Sequence, residues 1–134
     1  MATRSRIGIK EESGEVRSIY CHFDGYPEGV GVVLSKHYQD ADKVRQLMDL
    51  GDLSTLGAEI GEVQDFNWPN QDWCLAYGRD RGETATESRE YESEFSWWID
   101  SSNGWIDYLY LYKDGKWSYW ASLRLQHMPE GTKL

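Results

Sequence analysis

Residues 105–112 alternate two sets of side chains, with Ile106, Tyr108, Tyr110 and Tyr112 on one side of an extended chain and Trp105, Asp107, Leu109 and Leu111 on the other. Both sets are largely apolar or aromatic, so a strand here needs cover on both faces. Asp114-Gly115 follows, the residue pair that a type I′ turn demands, and residues 117–120 return as a second strand. A chain holding this hairpin has to build a sheet around it.

An opening hairpin is read at the other end. Residues 4–10 alternate through Ile7 and Ile9, Glu12-Ser13-Gly14-Glu15 interrupts, and residues 16–23 resume with β-branched and aromatic side chains. Two Gly and one Pro among residues 24–29 force a tight connection. It leads into a helix over 30–38, with Val30, Val33, Leu34 and Tyr38 at helical spacing and Glu28 suited to the helix dipole. Asp40 caps a second helix that runs to Leu50, with Val44, Leu47 and Met48 on one face and Gly51 as its stop. Leu53, Leu56 and Ile60 fit one short turn capped by Asp52 or Ser54.

Residues 57–69 read as irregular, 71–77 as a short strand or buried turn, and 79–87 as a mobile polar surface loop. From Ser88, the spacing of Tyr91, Phe95, Trp98 and Ile99 predicts an amphipathic helix closed by Asn103-Gly104. After a last short extended piece, residues 129–134 are expected to fray. This order predicts one α+β domain over residues 1–134, an antiparallel sheet of four or five strands built from the N- and C-terminal hairpins, with helices packed on one face.

Composition narrows the function classes. At 134 residues and 40% hydrophobic, the chain has enough apolar material for one core. The formal charge of −9 argues against direct DNA or RNA binding and against an anionic membrane surface, and it favours a basic partner. No apolar run approaches a bilayer span, no secretory leader is expected, and two cysteines are too few to staple a secreted scaffold, so a reducing cytoplasm is the expected setting.

Four constellations could carry chemistry. In a regular strand His22 and Asp24 share a face and could form half of an acid/base pair, without a nucleophile, beside the turn that holds Tyr26. Metal ligands are poorly spaced: Cys21, Cys74, His22, His37 and His127 contain no paired motif, and no metal or cofactor is expected. Gly25, Gly29 and Gly31 lack a phosphate-loop pattern, although Arg4, Arg6 and Arg17 on the first hairpin could hold a nucleotide with its base stacked on a Trp or Tyr. Seven Trp exceed what one small core usually needs, so Trp97, Trp98, Trp105, Trp117 and Trp120 either fill a core or form a contact surface, with at least one ring displayed.

Thr3-Arg4-Ser5-Arg6-Ile7-Gly8-Ile9 and the run from Ser18 through Tyr20-Cys21-His22-Phe23-Asp24-Gly25-Tyr26-Pro27-Glu28-Gly29-Val30-Gly31 resemble the opening of a group of small accessory proteins encoded by tailed bacteriophages. The likeness covers about the first 57 residues and brings no activity with it. It implies the cytoplasm of an infected bacterial host and a role of the kind such proteins often play, binding and blocking host enzymes or antiviral defence.

The expected function is therefore a non-enzymatic accessory binding protein that inhibits or sequesters a host defence component. The partner is a protein target or a small nucleotide signal captured in a pocket. Its expected contact residues are Arg4, Arg6, Tyr20, His22, Asp24, Tyr26, Trp97, Trp98, Trp105 and Trp117. The alternatives are a small hydrolase or nucleotide-modifying enzyme using His22 and Asp24, and a structural or assembly role as a homo-oligomer.

Overall fold

The computed structural model describes residues 2–121, 123 and 128–134. In chain order it contains β1 (Ser5–Lys10), β2 (Val16–Cys21), a π-helical turn (Pro27–Gly31), α1 (Val32–His37), α2 (Ala41–Leu50), β3 (Leu53–Thr55), β4 (Leu75–Ala76), α3 (Tyr77–Arg81), β5 (Arg89–Tyr91), α4 (Glu94–Ser102), β6 (Tyr108–Lys113), β7 (Lys116–Trp120) and β8 (Thr132–Lys133). None of these helices is long and apolar enough to cross a membrane.

Both hairpins form where alternation and turn chemistry place them. β1 and β2 pair antiparallel from Ser5 opposite Cys21 to Lys10 opposite Val16. β6 and β7 pair antiparallel around Asp114 and Gly115, whose φ angles of 53° and 77° are the left-handed values a type I′ turn requires. The two hairpins join through their first strands, with β1 parallel to β6 and Ile7 opposite Tyr110. A parallel pair needs a long crossover, which everything between β2 and β6 supplies.

The class is α+β, but the sheet is larger and mixed. Among the described residues it has eight strands in the order β4-β3-β2-β1-β6-β7-β8, with β5 also paired to β2. β1–β6 and β2–β3 are parallel. The expectation of four or five antiparallel strands missed β3, β5 and β8, because two or three residues are too few to show a period of two, while β4 falls inside the 71–77 stretch read as a short strand or buried turn.

Helices cover both faces instead of one. Ile7, Ile9, Ile19, Cys21, Tyr110, Tyr112 and Trp117 point to a core shared with Leu34 and Tyr38 and with the α2 residues Val44, Leu47 and Met48. Val16, Leu109, Leu111 and Trp120 point the other way and pack against Trp97 and Trp98 of α4. Alternate residues of β6 therefore enter different cores, as its doubly apolar pattern demands.

Helix ends follow local chemistry. The Asp40 carboxylate accepts from the Asp42 N–H to start α2, and Gly51, at φ 81°, follows its last turn. α4 starts later than expected, after a capping box in which Ser93 and Ser96 serve each other's backbone N–H. The preceding residues 89–91 are extended as β5. In the segment expected as a polar loop, residues 79–81 belong to α3 and the Thr86 carbonyl accepts from Asp52 N–H at 2.8 Å. The expected frayed tail contains β8, antiparallel to β7, with Leu134 N–H donating to the Trp117 carbonyl at 3.2 Å.

Candidate functional site

β2 ends at Cys21, so residues 22–24 leave the period-two ladder. His22 N–H donates to the Leu53 carbonyl, its Nδ1 lies 2.7 Å from the Tyr20 hydroxyl, and the Phe23 ring packs edge-on at 4.5 Å. Asp24 takes φ 59° at the start of the turn, which carries its carboxylate to the Tyr26 hydroxyl at 3.1 Å. That hydrogen bond pushes the Tyr26 phenol up, and burial does the same to Tyr20. The expected His22–Asp24 pair is thus replaced by Tyr20–His22 and Asp24–Tyr26. Cys21 is buried, and burial reinforced by nearby Cys74 pushes its thiol up to about 12, so it holds no thiolate for nucleophilic attack at neutral pH.

The candidate metal ligands scatter. Cys74 is buried against the Tyr38 hydroxyl at 3.3 Å, while His37 is exposed on α1. His127 lies outside the described residues. Among the described residues no group of three or more His, Cys, Asp and Glu side chains is placed to hold a metal.

The arginines separate by strand face. Arg6 sits opposite Tyr20 on the α4 side and donates from Nη1 to Asp100 Oδ2 and Ser101 Oγ, both at 3.0 Å. Tyr91 donates to the same Asp100 oxygen at 2.6 Å; that bond, reinforced by Arg6, holds this carboxyl below the usual carboxylate range. Arg89 grips Asp52 with two contacts of 3.1 and 3.2 Å, while Asp52 Oδ1 also accepts from Tyr20 N–H at 2.9 Å. The Arg4 backbone exchanges hydrogen bonds with Asp107. Arg17 faces the other way, toward Asp49 and Ser88, both at 2.7 Å, so Arg4, Arg6 and Arg17 do not converge on one nucleotide. Asp52, Arg89, Tyr91 and Asp100 were missed because only the pairing of β5 with β2 and the packing of α4 on the sheet bring them together.

Three of the four tryptophans expected at a contact surface are structural. Trp97 and Trp98 are fully enclosed and Trp117 nearly so. Trp97 Nε1–H donates to Ser18 Oγ at 3.0 Å, Trp117 Nε1–H donates to the Tyr38 carbonyl at 2.8 Å, and Trp98 packs edge-on against Trp120. Two sheet faces make two cores, which use more large rings than the single core anticipated.

Trp105 is different. It is 85% exposed, just beyond the end of α4, and Phe95 and Ile99, one turn apart, are exposed on that helix. Exposed Glu92, Asp100 and Asp107 interleave with these apolar residues along the chain. Trp68, 83% exposed, is a second displayed ring, in the irregular segment, that composition alone did not single out. No family model, no curated protein and no solved structure matches this chain.

Proposed function

We propose that this chain is a non-enzymatic accessory binding protein that acts in the cytoplasm of an infected bacterium and inhibits or sequesters a protein component of host antiviral defence. One observation carries the reading: Phe95, Ile99 and Trp105 lie exposed on and beside α4 while the neighbouring Trp97 and Trp98 are enclosed. Large exposed apolar side chains with a polar rim mark interaction surfaces, and Trp is the residue most enriched among interface hot spots. The acidic residues among them and the net charge of −9 select a basic partner surface.

The test joins binding to infection. Wild-type protein should protect the infecting phage in a defence-carrying host and co-purify with a basic host protein, and Trp105→Ala and Phe95→Ala should lose both while melting at the wild-type temperature. Protection that is unchanged in the Trp105→Ala/Phe95→Ala double variant overturns the reading. Light scattering that finds a dimer broken by the same substitutions assigns the surface to self-assembly instead.

A further inference from the structure

Four adjacent strands each present one lysine at the same end of the same sheet face. β1, β6, β7 and β8 are neighbours in the sheet, and they carry Lys10, Lys113, Lys116 and Lys133. Lys113 alternates with Leu109 and Leu111, and Lys116 with Trp120, so both belong to the α4 side. Lys113 and Lys116 are direct cross-strand partners, and Lys133 pairs with Ser118 one step along. Like charges placed opposite each other destabilise a hairpin, and the chain has only six lysines, so four in this row of an acidic protein need a reason.

The row borders a groove of about 520 Å³, a volume in the range of small-molecule sites. Its described lining combines Lys113, Lys116 and Lys133 with Trp120 and Met128. Its carboxylates are Glu94, Asp114 and Glu130. Glu94 is already shared, accepting from Lys10 at 2.9 Å and Lys113 at 3.5 Å through the same oxygen. Lys133 Nζ donates to Ser118 Oγ at 3.2 Å, which leaves two of its three protons to offer.

We propose that this groove binds a small phosphorylated ligand, with phosphate oxygens held by Lys113, Lys116 and Lys133 and the rest of the molecule against Trp120 and Met128. Lysine ammoniums hold phosphate as compact point charges, and a phosphate, with more charge and more acceptor oxygens than a carboxylate, can accept hydrogen bonds from all three at once. The overall charge of −9 repels a long polyanion, so a small ligand is selected over a nucleic acid. The site is separate from the Trp105 surface and does not depend on the protein-contact reading.

The experiment is an amide chemical-shift titration at low ionic strength with inorganic pyrophosphate, ADP and acetate. Saturable shifts at residues 111–118 and 128–133 with pyrophosphate and ADP, and none with acetate, are expected. Equal affinity for the two phosphates identifies the phosphate group alone as what is held, and tighter ADP binding adds its organic body. Lys116→Gln/Lys133→Gln should weaken binding about tenfold or more, because each loses a charge-assisted hydrogen bond. Both lysines are exposed and Lys116 lies opposite Lys113, so the variant should melt no lower than the wild type. Trp105→Ala should bind as wild type, which separates this result from failure of the partner surface. No saturable shift, unchanged binding in the double variant, or shifts centred on Arg4, Tyr20 and Arg89 would overturn the proposal.

Discussion

The indole N–H of Trp97 reaches the hydroxyl of Ser18 at 3.0 Å, and this bond ties α4 to the middle of β2. Gly8 on β1 makes room for the same ring, since a Cβ there would sit 3.4 Å from Trp97 Cζ2 and 3.2 Å from Val16 Cγ1. Trp97→Ala should cost about 3–5 kcal/mol through the cavity it leaves. Ser18→Ala should cost about 1–3 kcal/mol, because the buried indole donor loses its acceptor. Urea unfolding of both variants checks the order, and a Ser18→Ala loss as large as that of Trp97→Ala would contradict it.

Asp80 is the second anchor, and it is pH-sensitive. Its enclosed carboxylate accepts from Ala76 N–H at 2.8 Å, Gln64 N–H at 3.1 Å and Arg79 Nε at 2.8 Å. Burial alone would raise its pKa, but these donors outweigh burial and hold the carboxyl below the usual carboxylate range. A folded pKa below the unfolded one gives stability that is present above the unfolded value, about 3.9, and is lost as pH falls through the folded one. Asp80→Asn should cost about 3–5 kcal/mol at neutral pH by leaving Arg79 without its charge partner. It should also flatten the acid limb of a stability–pH profile, and an unchanged limb would assign acid sensitivity to other carboxylates.

The hairpin of β6 and β7 was legible because alternation and Asp114-Gly115 are local signals, and α2 because Asp40 and Gly51 mark its ends. The parallel pairing of β1 with β6 was not, since the direction in which two strands remote in sequence meet leaves no mark on either. The same limit hid the site chemistry. Arg6–Asp100 depends on where α4 packs on the sheet, and Arg89–Asp52 and the lysine row depend on which strands lie side by side. His22 and Asp24 misled for a local reason: the strand that would align them stops one residue earlier, at Cys21. Trp97 and Trp98 look the same in sequence whether displayed or enclosed, and only a second covered sheet face decides for enclosure.

Both thiols should be silent in the folded protein. Cys21 is driven up to about 12 by burial and by its neighbour Cys74, and burial raises Cys74 as well, against a hydrogen bond shared with the Tyr38 hydroxyl and one from the Gly57 N–H. A thiol reagent at pH 8 should therefore label neither cysteine in buffer and both in denaturant. Because the folded pKa values lie above the unfolded one, the contribution of the neutral thiols to stability is full below about pH 8.5 and declines as pH rises beyond it. Rapid labelling of native protein would show that the core around Tyr38 opens.

Trp105 and Trp68 should account for nearly all tryptophan emission that a soluble quencher can reach. They are 85% and 83% exposed, whereas Trp97, Trp98, Trp117 and Trp120 are buried and Trp73 is half-buried. Trp68→Phe/Trp105→Phe should abolish most acrylamide quenching with little change in stability, since exposed side chains away from the core contribute within about 0.5 kcal/mol. The single variants then separate display from function. If α4 and Trp105 form the partner surface, a bound partner should shield the Trp105 signal in Trp68→Phe and leave the Trp68 signal in Trp105→Phe as accessible as before. Shielding of Trp68 alone would move the contact to the irregular segment and away from α4.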